Sequence, residues 1–197
     1  MFTITPCAAG CGKPAIYGST LCATHLVNPL EEGHRIGVYI AQEKNIADLN
    51  AQGLLFTEID FGSRSFNECS FSGAVFSNCS FNDAQMRLLF FDFATFESCT
   101  FIGVDSRYIS FAGATIKNCT FEGSELLDIN FGGANITDTV FNNDNLYNSR
   151  FIEAEISDTK FTNCNLKRVN FFRSQQTDLI FKSSNTAEAI FSMEEMI

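Results

Sequence analysis

The residues best equipped for chemistry lie near the start of the sequence. In CAAGCGKPAIYGSTLCATH, Cys7, Cys11, Cys22 and His25 are spaced C-x3-C-x10-C-x2-H. Three thiolates and one imidazole make a closed tetrahedral donor set for Zn2+. Gly10 and Gly12 flank Cys11 and let the backbone turn tightly around a metal. Free thiols or a disulfide are the competing readings of these cysteines. The four protein ligands would leave no coordination position open to a substrate, so the metal is expected to be structural. In so short a segment, metal binding would largely drive folding.

The stretch resembles the small zinc-binding modules with the pattern C…GC..PA…LC..H that occur at the ends of many proteins. Beyond it the chain offers little for catalysis. With His25 assigned to the metal, His34 is the only imidazole left, and it reads as an ordinary helix or loop residue. No Gly-rich phosphate loop and no distinctive carboxylate pair is present, so an enzyme is not expected.

The elements that would position this module follow from a repeat. Every fifth residue from Phe56 to Phe191 gives 28 positions, of which 18 are Phe. Met86, Ile116, Leu126, Ile136, Leu146, Ile156 and Leu166 fill seven more, and Ser106, Gln176 and Thr186 break the series. Two residues before each centre the sequence prefers small or apolar side chains, such as Ala74, Ala94, Cys79 and Cys99. A period of five fits neither a 3.6-residue helix nor a two-residue strand. It fits a chain that turns a corner every five residues, with the centre and its companion pointing inward. Four sides make a coil of 20 residues, because positions 61, 81, 101, 121, 141, 161 and 181 are all Phe, and so are 71, 91, 111, 131, 151, 171 and 191. Equivalent rings would stack about 4.8 Å apart. Each buried Phe is worth roughly 1.5–3 kcal/mol.

The units AVFSN CSFND, ATFES CTFIG and ANITD TVFNN resemble those of the pentapeptide repeat family. The resemblance implies an all-β fold, a right-handed quadrilateral β-helix of about seven coils. The expected organisation is a zinc module over residues 1–28, a helical linker and cap over 29–52, the β-helix over 53–191 and a tail over 192–197. One helix is predicted at about 30–45, over the open first coil, because an uncovered solenoid end exposes strand edges. Met193, Met196 and Ile197 would fold over the last coil or meet a second molecule. Arg64 and Asp144 at inward positions, and Ser106 at a centre, should be satisfied by local hydrogen bonds.

Composition bounds the partners. The chain has 197 residues, with 13 Lys+Arg against 23 Asp+Glu and a net charge of −10. That argues against direct binding to nucleic acid or anionic lipid. The opening MFTITPCAAG lacks a signal-peptide pattern, and no apolar stretch approaches the roughly 20 residues of a membrane span. A cytoplasmic location is expected.

Two surfaces stand out. Glu58, Glu97, Asp138, Glu155, Asp158 and Asp178 share one side with Lys117, a net charge of −5. This acidic side reads either as a solvated edge or as a stripe for a basic partner. On another side, Phe90, Phe93, Ile152, Phe172 and Ile190 project outward, with Leu88 at the neighbouring corner. An apolar cluster of this kind is covered by the chain's own termini or marks an interface. The favoured function is a non-catalytic interaction scaffold with an unidentified protein partner. A homodimer through the C-terminal end or the apolar side is the other contact considered. The alternative comes from the resemblance: quinolone-resistance members of the family look like duplex DNA and bind DNA gyrase.

Overall fold

In the computed structural model, which describes residues 4–192, positions 20 apart pair in parallel register. Phe56 lies opposite Phe76, Phe76 opposite Phe96, Phe121 opposite Phe141 and Phe141 opposite Phe161. Each strand is three residues long, and all but the last two in the chain bury their central side chain, as Phe96 does in Thr95–Glu97. The strands build three parallel sheets. A seven-stranded sheet runs from Leu55–Thr57 to Gln175–Thr177. Five-stranded sheets run from Asn45–Ala47 to Glu125–Leu127 and from Thr100–Ile102 to Ile180–Lys182. The fourth side, centred on Phe71, Phe91, Phe111, Phe131, Phe151 and Phe171, turns instead of extending, and isolated bridges such as Ser70–Phe90 and Arg150–Asn170 hold its coils together. The result is a β-solenoid of seven coils.

Its core runs along two long phenylalanine columns, with a third, shorter stack of Phe56, Phe76 and Phe96 in the first coils. Along one, Phe81, Phe101, Phe121 and Phe141 stack with centroids 4.7, 4.5 and 4.6 Å apart and rings within 10° of parallel. Along the other, Phe111, Phe131 and Phe151 are 5.1 and 4.6 Å apart. The columns meet edge to face, as Phe151 and Phe161 do at 88°. The observed spacing is the strand spacing, so the repeat stacks rings without disturbing the ladder.

The sharp corners have a backbone cost. The residue two places after a centre adopts the left-handed conformation, with φ of 57° at Glu58, 50° at Asp138, 49° at Asp158 and 53° at Asp178. Asn and Asp tolerate this region better than other side chains bearing a Cβ.

The linker expected over 29–52 divides in two. Helix α1 is Pro29–Gln42, three residues shorter at its end than the predicted 30–45. Asn28 caps it, its Oδ1 accepting from the N–H groups of Leu30 and Glu31, both at 3.2 Å. Ile46 already pairs with Phe66, so the ladder begins ahead of residue 53. Ile46, Leu49, Ala51 and Leu54 take inward positions and are fully buried. They keep the five-residue register without Phe. Helix α1 buries Gly33, Ile36, Gly37 and Ile40 and packs on Leu55–Thr57, an edge strand of the seven-stranded sheet. A Cβ on Gly33 would lie 1.9 Å from the carbonyl oxygen of Leu55, and one on Gly37 would lie 2.9 Å from Ile59. The glycines that weaken the helix in isolation are what let it lie flat on the coil.

The polar residues in the ladder resolve differently. Arg64 donates from Nε to the carbonyl of Ile40 at 2.7 Å and from Nη2 to that of Ala41 at 3.4 Å, closing the C-terminus of helix α1. Ser106 Oγ donates to the carbonyl of Glu125 at 3.1 Å. Asp144 departs from expectation: it is buried, and its Oδ2 has no hydrogen-bond partner. Only Oδ1 is served, because a carboxylate has no hydrogen to give the carbonyls that Ser and Cys bond at equivalent positions. At the far end Gln176 replaces a buried centre and is exposed with its whole strand. Met193, Met196 and Ile197 lie outside the described residues. Among the described residues, no helix is long and apolar enough to cross a membrane.

Candidate functional site

The structure brings Cys7, Cys11, Cys22 and His25 together, with all four ligand atoms within 4.8 Å of one another. A short antiparallel bridge between Pro6 and Pro14 closes the loop carrying Cys7 and Cys11. Gly10 and Gly12 turn it with φ of 71° and 76°. The N–H of Gly10 donates to the Cys7 carbonyl at 2.9 Å. Cys22 precedes a single 3-10 turn, Ala23–His25, which swings the imidazole back to the thiols. His25 Nδ1 lies 3.6 Å from Cys7 Sγ and 3.3 Å from Cys22 Sγ, and Cys11 Sγ lies 3.6 Å from Cys22 Sγ. Tetrahedral zinc with ordinary bond lengths places ligand atoms about 3.6–3.8 Å apart. The donor set therefore fits a metal of that size. The Cys22 N–H donates to Cys7 Sγ at 3.3 Å, and this bond leads the causes that lower the Cys7 thiol below its ordinary value.

The ten residues between Cys11 and Cys22 dock the module. The Tyr17 N–H donates to the Asn50 carbonyl at 2.8 Å, and Asn50 Nδ2 donates to the Ala15 carbonyl at 2.6 Å. Ile16 is buried in the same core as the first coil. Tyr17 packs on Tyr39 of helix α1 with centroids 4.9 Å apart, and Arg35 donates to the Tyr17 carbonyl. Module, helix and first coil form one packed unit.

The remaining cysteines are core residues. Cys69, Cys79, Cys99, Cys119 and Cys164 are buried and free, and each donates to two backbone carbonyls. Burial pushes the thiols of Cys69 and Cys164 up to about 11.

The expected apolar side separates into two parts. Leu88, Phe90 and Phe93 are 42, 36 and 75 % exposed and lie together. Leu88 and Phe93 occupy left-handed corners, with φ of 55° and 56°. Phe90 also lines a cavity of about 280 Å3 with Ile4 and Pro14 of the Cys3His module. Ile152, Phe172 and Ile190 are half-buried and lie further along the rod. The guanidinium of Arg173 covers the Phe172 ring at 5.1 Å.

Glu58, Glu97, Asp138, Glu155, Asp158 and Asp178 are all exposed around the seven-stranded sheet. Glu97 lies opposite Lys117 in register, and Glu155 Oε2 accepts from Asn135 Nδ2 at 3.3 Å. Four of the six carboxylates stand at left-handed corners.

One grouping crosses a corner and is not visible from either side alone. Arg150 and Arg168 line a groove of about 490 Å3 with Tyr108, Asp128, Asn148, Asn170 and Ile190. The available signal was the 20-residue step: Asn148 and Arg168 are one coil apart in one column, and Arg150 and Asn170 in the next.

Two family models match the rod. Pentapeptide repeats (8 copies) matches residues 55–88, and the pentapeptide repeat region matches residues 114–191. No curated protein sequence matches the chain. Among solved structures, a trypsin-treated variant of QnrB1, a plasmid-mediated fluoroquinolone resistance protein, is 16 % identical with a TM-score of 0.45, covering 70 % of this chain and 86 % of that one. Rfr23 from the cyanobacterium Cyanothece 51142 is 9 % identical with a TM-score of 0.40, covering 80 % and 99 %. HetL from Nostoc sp. strain PCC 7120, involved in heterocyst differentiation regulation, is 12 % identical with a TM-score of 0.25, covering 81 % and 96 %. The matched segments take in both ends of the phenylalanine ladder, and the chain belongs to the pentapeptide repeat family.

Proposed function

We propose that this protein is a non-catalytic interaction scaffold: a rigid β-solenoid, closed at its N-terminal end by a zinc-held module, that presents Leu88, Phe90 and Phe93 to a protein partner. The observation that carries this reading is Phe93. Its side chain is 75 % exposed, and its backbone has φ of 56°. A bulky residue in the left-handed region costs about 1–2 kcal/mol. Burial does not offset that cost, and Asn or Gly would serve the corner better. Leu88 presents the same conflict. Residues that oppose folding and expose apolar surface mark a contact site.

Zinc is the metal proposed for Cys7, Cys11, Cys22 and His25. Its role here is to order the segment that carries Ala15, Ile16 and Tyr17 onto the first coil.

The duplex-mimic alternative has less support. Asp138, Asp158 and Asp178 answer a backbone requirement, and Glu97 faces Lys117. The test is to isolate the partner complex with the unaltered protein and with Phe90→Ser/Phe93→Ser. The reading expects a defined complex that the double variant loses while its thermal transition stays put. A complex retained at full yield by the variant rejects it. Loss of the complex on Asp138→Lys/Asp158→Lys instead would move the contact to the acidic side.

A further inference from the structure

Five of the chain's arginines are committed to carboxylates. Arg35 pairs with Glu32 at 2.6 Å, Arg64 with Asp60 at 3.8 Å, Arg87 with Asp105 at 2.8 Å, Arg107 with Asp128 at 3.2 Å and Arg173 with Glu153 at 3.4 Å. Arg150 and Arg168 are the two that form no ion pair among the described residues. Both are exposed, and both line the same groove. In a chain of net charge −10 this pairing of unneutralised guanidiniums is unexpected.

The groove's own acid does not answer them. Asp128 Oδ2 is held by Arg107 Nε at 3.2 Å, and its Oδ1 accepts from Asn148 Nδ2 at 2.6 Å. Arg168 instead lies over the Tyr147 ring at 5.8 Å, a contact that orients the guanidinium and leaves its N–H edge available. The solenoid sets the geometry. Arg150 pairs in register with Asn170 of the next coil, and Asn148 stands one coil before Arg168 at the adjacent corner. Arginines and asparagines thus alternate on a square whose edge along the axis is one strand spacing, about 4.8 Å. Asn170 Oδ1 accepts from the Phe172 N–H at 2.8 Å, so its amide has an NH2 to offer. Tyr108 lines the groove beside them.

We propose that this groove binds an oxyanion with several acceptor oxygens, a phosphate group or a dicarboxylate carried by a small molecule. Guanidinium forks match such groups in pairs of hydrogen bonds, which a lone ammonium does not. The volume falls in the range of small-molecule sites. This site is independent of the apolar contact around Phe93.

The test uses full-length zinc-loaded protein at constant ionic strength. Inorganic pyrophosphate and, separately, succinate are titrated while the Nε–H resonances of the arginines are followed by NMR. Arg150 and Arg168 should shift together and saturate with one dissociation constant, while Arg35 and Arg173 stay still. Arg150→Gln and Arg168→Gln should each weaken binding about tenfold or more, and Arg173→Gln should leave it unchanged. Both variants are at exposed positions, and an unaltered thermal transition confirms the fold. Saturation by pyrophosphate alone assigns a phosphate group, and saturation by succinate alone assigns a carboxylate. Shifts that never saturate, shifts shared by every arginine, or unchanged affinity in both variants would overturn the proposal.

Discussion

Asp144 reaches the preceding coil through one oxygen only: Oδ1 accepts the backbone N–H of Ser124 at 2.8 Å, and Oδ2 is buried without a partner. The same slot in neighbouring coils holds a donor. Ser124 Oγ donates to the carbonyls of Phe101 and Glu122 at 2.9 and 3.2 Å, and Cys164 Sγ donates to those of Phe141 and Thr162, both at 3.4 Å. By that register a neutral Asp144 hydroxyl faces the carbonyls of Phe121 and Asn142. Burial, with a smaller contribution from the Glu122 carboxylate, pushes the Asp144 carboxyl up to about 7, while the Ser124 N–H pulls the other way.

The folded chain therefore holds a proton that the unfolded chain loses near 3.8. For this group, stability is highest below that value and falls as pH rises through about 7, by an amount on the order of a few kcal/mol. Urea denaturation at about pH 5 and about pH 8 measures the difference. Asp144→Asn replaces the missing donor with an amide and should flatten the profile by raising stability at the higher pH. An unchanged slope in the variant would show that Asp144 does not carry the effect.

Phe91 and Phe93 predict opposite outcomes two residues apart. Phe91 is fully buried and stacks between Phe71 and Phe111 at 5.3 and 5.1 Å. Phe91→Ala should cost about 3–5 kcal/mol. Phe93→Asn suits the left-handed corner, so stability should hold or rise by up to about 1 kcal/mol while partner binding weakens. Thermal denaturation of the two variants, read beside complex formation, checks both halves.

The contrast shows what the sequence makes legible. Phe91 could be assigned inward because a period of five repeats faithfully around it. Ile46 and Ala51 obey the same period but lack the ring that announces it, so the phenylalanine series marks the start of the ladder late. Helix α1 is expected because an open coil end needs a cover. Its end is not legible, because Glu43 and Lys44 are good helix formers, while the chain has to extend into the strand at Asn45. Asp138 and Asp158 advertised a charged stripe, yet a positive φ, invisible in composition, explains why Asp stands there. Arg150 and Arg168 were hidden because two columns meet only when the corner is folded. The grouping of Cys7, Cys11, Cys22 and His25 is legible, since short spacing around glycines leaves few other arrangements, but its docking through Tyr17 and Asn50 is not.

Helix α1 supplies a third test. On propensity alone Gly33→Ala should stabilise a helix by about 1 kcal/mol. Here its Cβ would collide with the Leu55 carbonyl oxygen at 1.9 Å, and backbone cannot move aside as a side chain can. The substitution should instead destabilise by about 1–3 kcal/mol. Hydrogen exchange should place the loss at Leu55–Thr57. A stabilised Gly33→Ala would mean that the helix does not lie against that strand.

Metal removal tests how the N-terminal end is held. The proposed ligands sit on either side of Ala15, Ile16 and Tyr17, which carry the docking contacts, so binding of the proposed metal would order the loop and close the first coil in one event. One zinc per chain should be recovered from the purified protein. A chelator should abolish exchange protection at Ile16 and Tyr17 and weaken it at Asn45–Ala47. The coils around Phe121 and Phe141 should keep theirs, because each coil of a solenoid depends on its nearest neighbours. Cys22→Ser should reproduce the chelated pattern without added chelator. Protection lost evenly along the rod would show that the metal acts on the whole fold, and protection retained at Ile16 would show that the module folds without it.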